Sequence, residues 1–198
     1  AVPTNFTKGC TTNTTQVLNW AAPATGTFDG YILVVREAAT PNAITSIVAA
    51  TQPFNLDYTL APTYAATTSR VLYIGTGTSV TVTGLTQGIN YTFALYSYKN
   101  NGASTTFSST AVTTSQTMGL PTVSSAVGTN GNASGTLTWS NPTALCYDQI
   151  LIVVTAASGI TFVPTGSTTT AYPSTGVFSG FDQAVYYSSG NFVSISGL

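Results

Sequence analysis

The chain states one pattern twice. Leu18-Asn19-Trp20 returns as Leu137-Thr138-Trp139, and Asp29-Gly30-Tyr31-Ile32-Leu33-Val34-Val35 returns as Asp148-Gln149-Ile150-Leu151-Ile152-Val153-Val154. Val71-Leu72-Tyr73 returns as Val185-Tyr186-Tyr187, and Val80-Thr81-Val82-Thr83-Gly84-Leu85 as Val193-Ser194-Ile195-Ser196-Gly197-Leu198. The offset is 119 residues at the tryptophans (139 − 20) and 113 at the leucines (198 − 85), so the second copy is shorter in the middle. A repeat of this length is a domain, not a solenoid unit. Two domains are expected, 1–115 and 121–198, joined by a linker over 116–120. The first copy runs on past its leucine and the second stops there, so the second domain is expected to lack its last strands within this chain.

The local pattern is all-β. Thr, Ser, Val, Ile and Tyr fill short runs, with Gly, Pro and Asn between them, and nothing reads as a long amphipathic helix. Strands are expected over 4–7, 15–20, 31–36, 70–74, 79–83, 90–98 and 104–113, with a tight turn at Asn101-Gly102. Residues 41–69 read as a long insertion carrying Pro53 and Pro62. The runs Ile32–Val35 and Ile150–Val154 are apolar on both faces, whereas a sheet with one solvated face alternates. Something must cover the second face: the insertion, or a neighbouring subunit.

Charge narrows the function classes. Four Lys/Arg, five Asp/Glu and no His make 5% charged residues, where about a quarter is usual. Phosphate binding needs clustered cations, so nucleic acid is not expected as a partner. No apolar run approaches the roughly 20 residues of a spanning helix, so no membrane insertion is expected. The chain opens on Ala1-Val2-Pro3, so any export signal is expected to have been removed or to lie upstream. Without His, a Ser-His-Asp or Cys-His centre is impossible within the chain. The acids Asp29, Glu37, Asp57, Asp148 and Asp182 are scattered, so they read as turn caps and, for Glu37 beside Arg36, a solvated pair. A calcium site at Asp29 and Asp148 would need more oxygen ligands than these loops show. No cofactor, no metal and no catalytic residue is expected. Gly75-Thr76-Gly77-Thr78 lacks the Lys and helix of a phosphate cradle. Four Asn-x-Ser/Thr sequons begin at Asn5, Asn13, Asn90 and Asn132, of interest only in a eukaryotic source. Cys10 and Cys146 have no zinc-type spacing and stand as two thiols or one bridge.

Leu85-Thr86-Gln87-Gly88-Ile89-Asn90-Tyr91 resembles the L-x-P-G-x-x-Y signature of fibronectin type III domains, with Gln87 in place of the Pro. Trp20 and the alternation Tyr91, Phe93, Leu95 fit the same family. More narrowly, the Tyr-rich insertion, the run from Val71 to Leu85 and the segment Tyr91–Lys99 resemble type III-like modules of large secreted and cell-surface proteins of Bacteroidota, found in adhesins and beside exported catalytic domains. The resemblance implies two tandem Ig-like β-sandwiches, extracellular, with Leu85, Gly88 and Tyr91 as a structural corner whose tyrosine packs inward and bonds upstream backbone. In such a sandwich the first strand runs toward the linker end, which places Cys10 there and Cys146 in the facing loop of the second domain. The resemblance thus implies a Cys10–Cys146 disulfide and an oxidising location.

The expected function is a non-catalytic structural or adhesive tandem module of a bacterial surface protein or fibre, whose partners are other modules of the array or neighbouring copies. One alternative is a carbohydrate-binding accessory module of a secreted enzyme. Its candidate ligand or interface residues are Tyr73, Tyr96, Tyr98, Tyr186 and Tyr187, since outward tyrosines stack on glycans or bury at interfaces. Ordinary cross-strand pairing of these rings is the plainer reading. Another alternative is a filament subunit completed by strand donation from a neighbouring chain.

Overall fold

Burying one face of a strand takes every second residue; in strand β3 (Gly30–Glu37) the five consecutive residues Tyr31–Val35 are at most 1% exposed. Both faces of this strand are therefore core. The computed structural model describes residues 1–44, 47–64, 67–119, 122–142, 147, 149–156, 158–161 and 182–198. It divides into two units, Ala1–Leu120 and Pro121–Leu198. No helix occurs among the described residues.

The first unit is a sandwich of antiparallel sheets. One sheet is β1 (Thr4–Thr11), β2 (Gln16–Ala21) and β5 (Ser79–Val82), in the order β1-β2-β5. The other has the order β4-β3-β6-β7, from β4 (Arg70–Gly75), β6 (Asn90–Asn101) and β7 (Ser104–Phe107), with β8 (Val112–Thr117) also paired to β6. Between the sheets, Tyr31, Leu33 and Val35 of β3 pack with Leu18, Trp20, Leu72, Val82, Tyr91, Phe93 and Leu95. The opposite face of β3 offers Ile32 and Val34, which join Val71, Ile74, Ala94 and Tyr98 under Ile47, Ala49 and Tyr64. Burying one such aliphatic side chain contributes about 1.5–3 kcal/mol, so a bare outer face would forfeit several such contributions.

The insertion is that cover. Its two ends are tied at Asn42, whose N–H donates to Ser69 Oγ (2.9 Å) and whose Oδ1 accepts from the same hydroxyl (2.9 Å). The Tyr64 hydroxyl donates to the Asn42 carbonyl, and Ala49 N–H donates to Thr105 Oγ1 at 2.9 Å. Between these ties, the strap crosses to the first sheet. Thr83 N–H donates to Leu56 O and Tyr58 N–H to Thr83 O, both at 2.9 Å, in a parallel bridge. One segment therefore contributes to both apolar clusters, through Ile47 and Tyr64 on one and Ala61, Leu56 and Tyr58 on the other. Residues 116–118, expected as linker, are here the end of β8 and the core residue Met118, which is bonded to Ile89 and Gly88 backbone at 3.0 Å.

The second unit repeats part of this plan. Strands β9 (Ser124–Gly131), β10 (Ser134–Ser140) and β13 (Phe192–Ser196) form one sheet, and β11 (Ile150–Val154) pairs with β12 (Gln183–Ser188). Its core is Trp139, Ile150, Val185, Val193 and Ile195. Even backbone details recur: Leu85 N–H donates to Thr14 O (3.1 Å), and Leu198 N–H to Ala133 O (3.4 Å). Among the described residues, no counterpart of β6, β7 or β8 is present. The register also amends the sequence match in the middle of the repeat. A bulge places Tyr73 opposite Leu33 but Val71 opposite Val34. The same bulge places Tyr186 opposite Ile152 but Ala184 opposite Val153. Tyr73 therefore corresponds to Tyr186, one residue earlier than Tyr187. Adjacent tyrosines hide such a slip, and only strand pairing reveals it.

The two tryptophans differ in one bond. Trp139 Nε1 donates to Asn141 Oδ1 at 2.9 Å, whereas Trp20 Nε1 is buried without a partner. The position matching Asn141 in the first unit is Ala22. Asn141→Ala is expected to cost the second unit about 1–3 kcal/mol, the penalty for an orphaned buried donor. Ala22→Asn is expected to raise the first unit's stability by about 1 kcal/mol. Denaturation of both variants, followed by tryptophan fluorescence, checks the pair.

Candidate functional site

The sequence singles out two places, the corner and the tyrosine rows. At the corner, Gly88 adopts φ +80°, which an L-residue avoids, and Leu85 is buried beneath the turn. Tyr91 is wholly buried; its hydroxyl accepts from Thr86 N–H at 3.1 Å and donates to Glu37 Oε1 at 3.3 Å. The ring meets Tyr58 edge-on, with centroids 5.0 Å apart, and the Arg70 guanidinium lies 5.0 Å over Tyr58. Burial, then the neighbouring Glu37 carboxylate, pushes the Tyr58 phenol above its ordinary value. Arg70 also donates to Ala61 O at 2.6 Å. Of the solvated Glu37–Arg36 pair expected from the sequence, the exposure of Glu37 holds and the pairing is corrected. Glu37 lies opposite Tyr91 in the β3–β6 register and holds its hydroxyl, while Arg36 reaches Asn42 Oδ1 at 3.4 Å. Cross-strand register was the missing information.

The expected row of exposed tyrosines is also corrected. Tyr96 and Tyr98 do point away from the inter-sheet core, but the insertion covers that face. Tyr98 is 9% exposed, and Tyr96 is half-buried against Phe107, with centroids 6.5 Å apart. Burial raises both phenols. Tyr73 turns inward at the bulge, packs on Trp20 and Phe54, and its hydroxyl accepts from Gly77 N–H at 2.8 Å. Its counterpart Tyr186 packs on Trp139 with centroids 5.2 Å apart. Tyr187 is half-buried in β12. Each of these rings packs within its own unit and not on an open aromatic platform.

The carboxylates serve turns. Asp29 pairs with Lys99 Nζ at 2.6 Å and accepts Asn100 N–H at 2.8 Å; these bonds hold its carboxyl below the usual range. Asp57 accepts the Thr59 hydroxyl (2.6 Å) and N–H (2.9 Å), which lower its carboxyl likewise. Asp182 accepts Thr161 N–H and hydroxyl at 2.6 and 2.7 Å. Asp148 lies outside the described residues, among which no group of three metal-ligating side chains occurs. Cys10 is half-buried in β1; Cys146 lies outside the described residues. A shallow groove of about 470 Å³ in the second unit is lined by hydroxyls such as Thr129, Thr136 and Ser194 and holds no ionisable or aromatic side chain.

Two outcomes follow from this chemistry. Tyr91→Phe keeps the packing but orphans Thr86 N–H, and is expected to cost about 1–2 kcal/mol in urea denaturation. Asp29 and Asp57 have carboxyls lowered by folding, so each contributes stability above its unfolded-state value that is lost as pH falls through the folded-state value. Asp29→Asn is expected to flatten the acid limb of Tm against pH by lowering the neutral plateau, leaving the acid end nearly unchanged.

Comparison with known proteins gives the same architecture. The family model described as the fibronectin type III domain matches residues 1–114. No curated protein matches the chain. A segment of two fibronectin type III domains from chicken tenascin is similar at 16% identity and TM-score 0.40, covering 100% of this chain and 84% of that one. A redesigned β-sandwich protein is similar at 18% identity and TM-score 0.39, covering 61% and 91%. A human fourth FNIII domain is similar at 15% identity and TM-score 0.38, covering 61% and 80%. With the matching family model spanning more than half of its residues, this all-β, Ig-like sandwich chain belongs to the fibronectin type III family.

Proposed function

We propose that the chain is a non-catalytic structural or adhesive tandem module of an extracellular bacterial surface protein or fibre. The observation that carries this reading is where the chemistry-bearing side chains go. Asp29, Asp57 and Asp182 hold turns, Glu37 holds the corner, and Tyr73, Tyr96, Tyr98 and Tyr186 pack into the units. Such a chain provides rigid scaffold more readily than a reacting centre. Its partners are other modules of the same array. A Cys10–Cys146 bridge, formed in an oxidising compartment, would tie the two units covalently. The carbohydrate-binding alternative loses its platform with Tyr96 and Tyr98 under the insertion. A subunit completed by a donated strand is the other alternative.

Antibody labelling and protease shaving of intact producing cells test the location. Labelling and cleavage without lysis are expected; labelling only after permeabilisation would overturn the reading. Intact mass after alkylation without reductant tests the bridge: no adduct is expected, and two adducts would exclude it.

A further inference from the structure

We propose that the second unit binds a neutral glycan on the outer face of the sheet β13-β10-β9, with Phe192 as the stacking ring and the hydroxyls of Thr129, Thr136 and Ser194 as polar partners. The proposal rests on the adhesive reading above, names its ligand class, and uses none of the tyrosines weighed there.

Register builds the face. Leu137 and Val193 pair across β10 and β13 and turn to the core, so their neighbours in each strand turn outward. Thr136 stands between Thr129 and Ser194. In the adjoining outward row, Thr138 stands between Val127 and Phe192. Val127 is 56% exposed and Phe192 60%. Neighbouring strands lie about 4.8 Å apart, so each row spans about 10 Å, and two residues along a strand set the rows about 7 Å apart. The hydroxyl row lines the groove of about 470 Å³, and the row of Phe192 lies next to it along the strands.

The first unit shows that this face is not apolar by default. At the same register its sheet carries Thr7, Asn19 and Ser79, and Ser79 Oγ donates to Asn19 Oδ1 at 2.7 Å. The strands after β5 join the other sheet there, and Thr7, Ser79 and Thr81 stay exposed. The outer face is thus a solvent face of the fold, and of the two units it is the second that places a phenyl ring and a valine on it.

Chemistry selects the occupant. Thr129 Oγ1 and Thr138 Oγ1 each donate to a strand carbonyl at 3.4 Å, which leaves their lone pairs as acceptors. Hydroxyls that donate and accept match the hydroxyls of a sugar, and the C–H face of a pyranose packs on the negative face of an aromatic ring. No Lys, Arg, Asp or Glu occurs in β9, β10 or β13, so an anionic chain finds no counter-charge. A protein partner needs about 800 Å² per side with an apolar centre, which a hydroxyl groove edged by Phe192 and Val127 does not offer. A lipid surface needs a broader apolar face or a basic patch. A neutral glycan needs a ring to stack on and a bank of hydroxyls, and this face carries both.

The test titrates cellohexaose, xylohexaose, mannohexaose and chitohexaose into the whole chain, isotope-labelled, and follows its NMR shifts. Saturable shifts are expected with one or more of these sugars, centred on Val127, Thr129, Thr136, Thr138 and Ser194. Phe192→Ser copies the first unit's residue at this register and is expected to weaken binding about tenfold or more. Because Phe192 is mostly exposed, the signals of the Trp139 core are expected to stay in place in that variant. Thr136→Val keeps the shape, removes a hydroxyl, and is expected to weaken binding severalfold. No saturable shift with any of these sugars, shifts centred outside this face, or undiminished binding by Phe192→Ser would overturn the proposal. Preferential binding of oligogalacturonate or a heparin fragment would also overturn it, by marking an anion site. So would self-association through this face, by naming a second copy as its occupant. The purified chain is used throughout, so a failure here leaves the cell-surface test of the module reading untouched.

Discussion

A strand buried on both faces is the constraint on which the first unit depends. Tyr31–Val35 give the sandwich its inter-sheet core on one side and an equally apolar surface on the other. An all-β sandwich covers one face of each sheet by default, so the second face calls for an added layer. The insertion between β3 and β4 is that layer, and much of its detail follows from the task. Asn42, Ser69 and Tyr64 close its ends, Thr105 holds its middle, and Leu56–Tyr58 extend the first sheet.

The same constraint accounts for the fate of the tyrosines. Alternation along β6 sends Tyr91, Phe93 and Leu95 inward and sends Tyr96 and Tyr98 to the other face. The sequence makes both assignments legible. It does not show that the other face is itself interior, because the covering segment has no regular period to read. The corner is legible through Leu85, Gly88 and Tyr91, yet its polar half is not. Glu37 and Tyr58 reach Tyr91 from two other segments, with Arg70 over Tyr58 from a third, and only register brings them together. The one-residue slip between Tyr186 and Tyr187 has the same origin, since a bulge changes which of two adjacent side chains faces the core. Asp29 was readable as a turn cap, but its partner Lys99 lies 70 positions away on β6.

The second unit is the same design under weaker constraint. It keeps the Trp–Tyr contact, the bulge and the turn at Gly197, whose φ of +80° parallels that of Gly84 at +69°. Among the described residues it has no counterpart of β6, the neighbour that makes β3 central. The family assignment gives the scaffold; what distinguishes this chain is that one of its two units presents β11 with a neighbour on one edge only, among the described residues.

Hydrogen exchange of the two equivalent strands within one molecule tests this most directly. Amides of β3, paired on both edges, are expected to exchange only on global unfolding of their unit, while those of β11 that point away from β12, where no strand pairs with it among the described residues, exchange through local fluctuation. Equal, strong protection of every amide in β11 and β3 in the isolated chain would contradict the account.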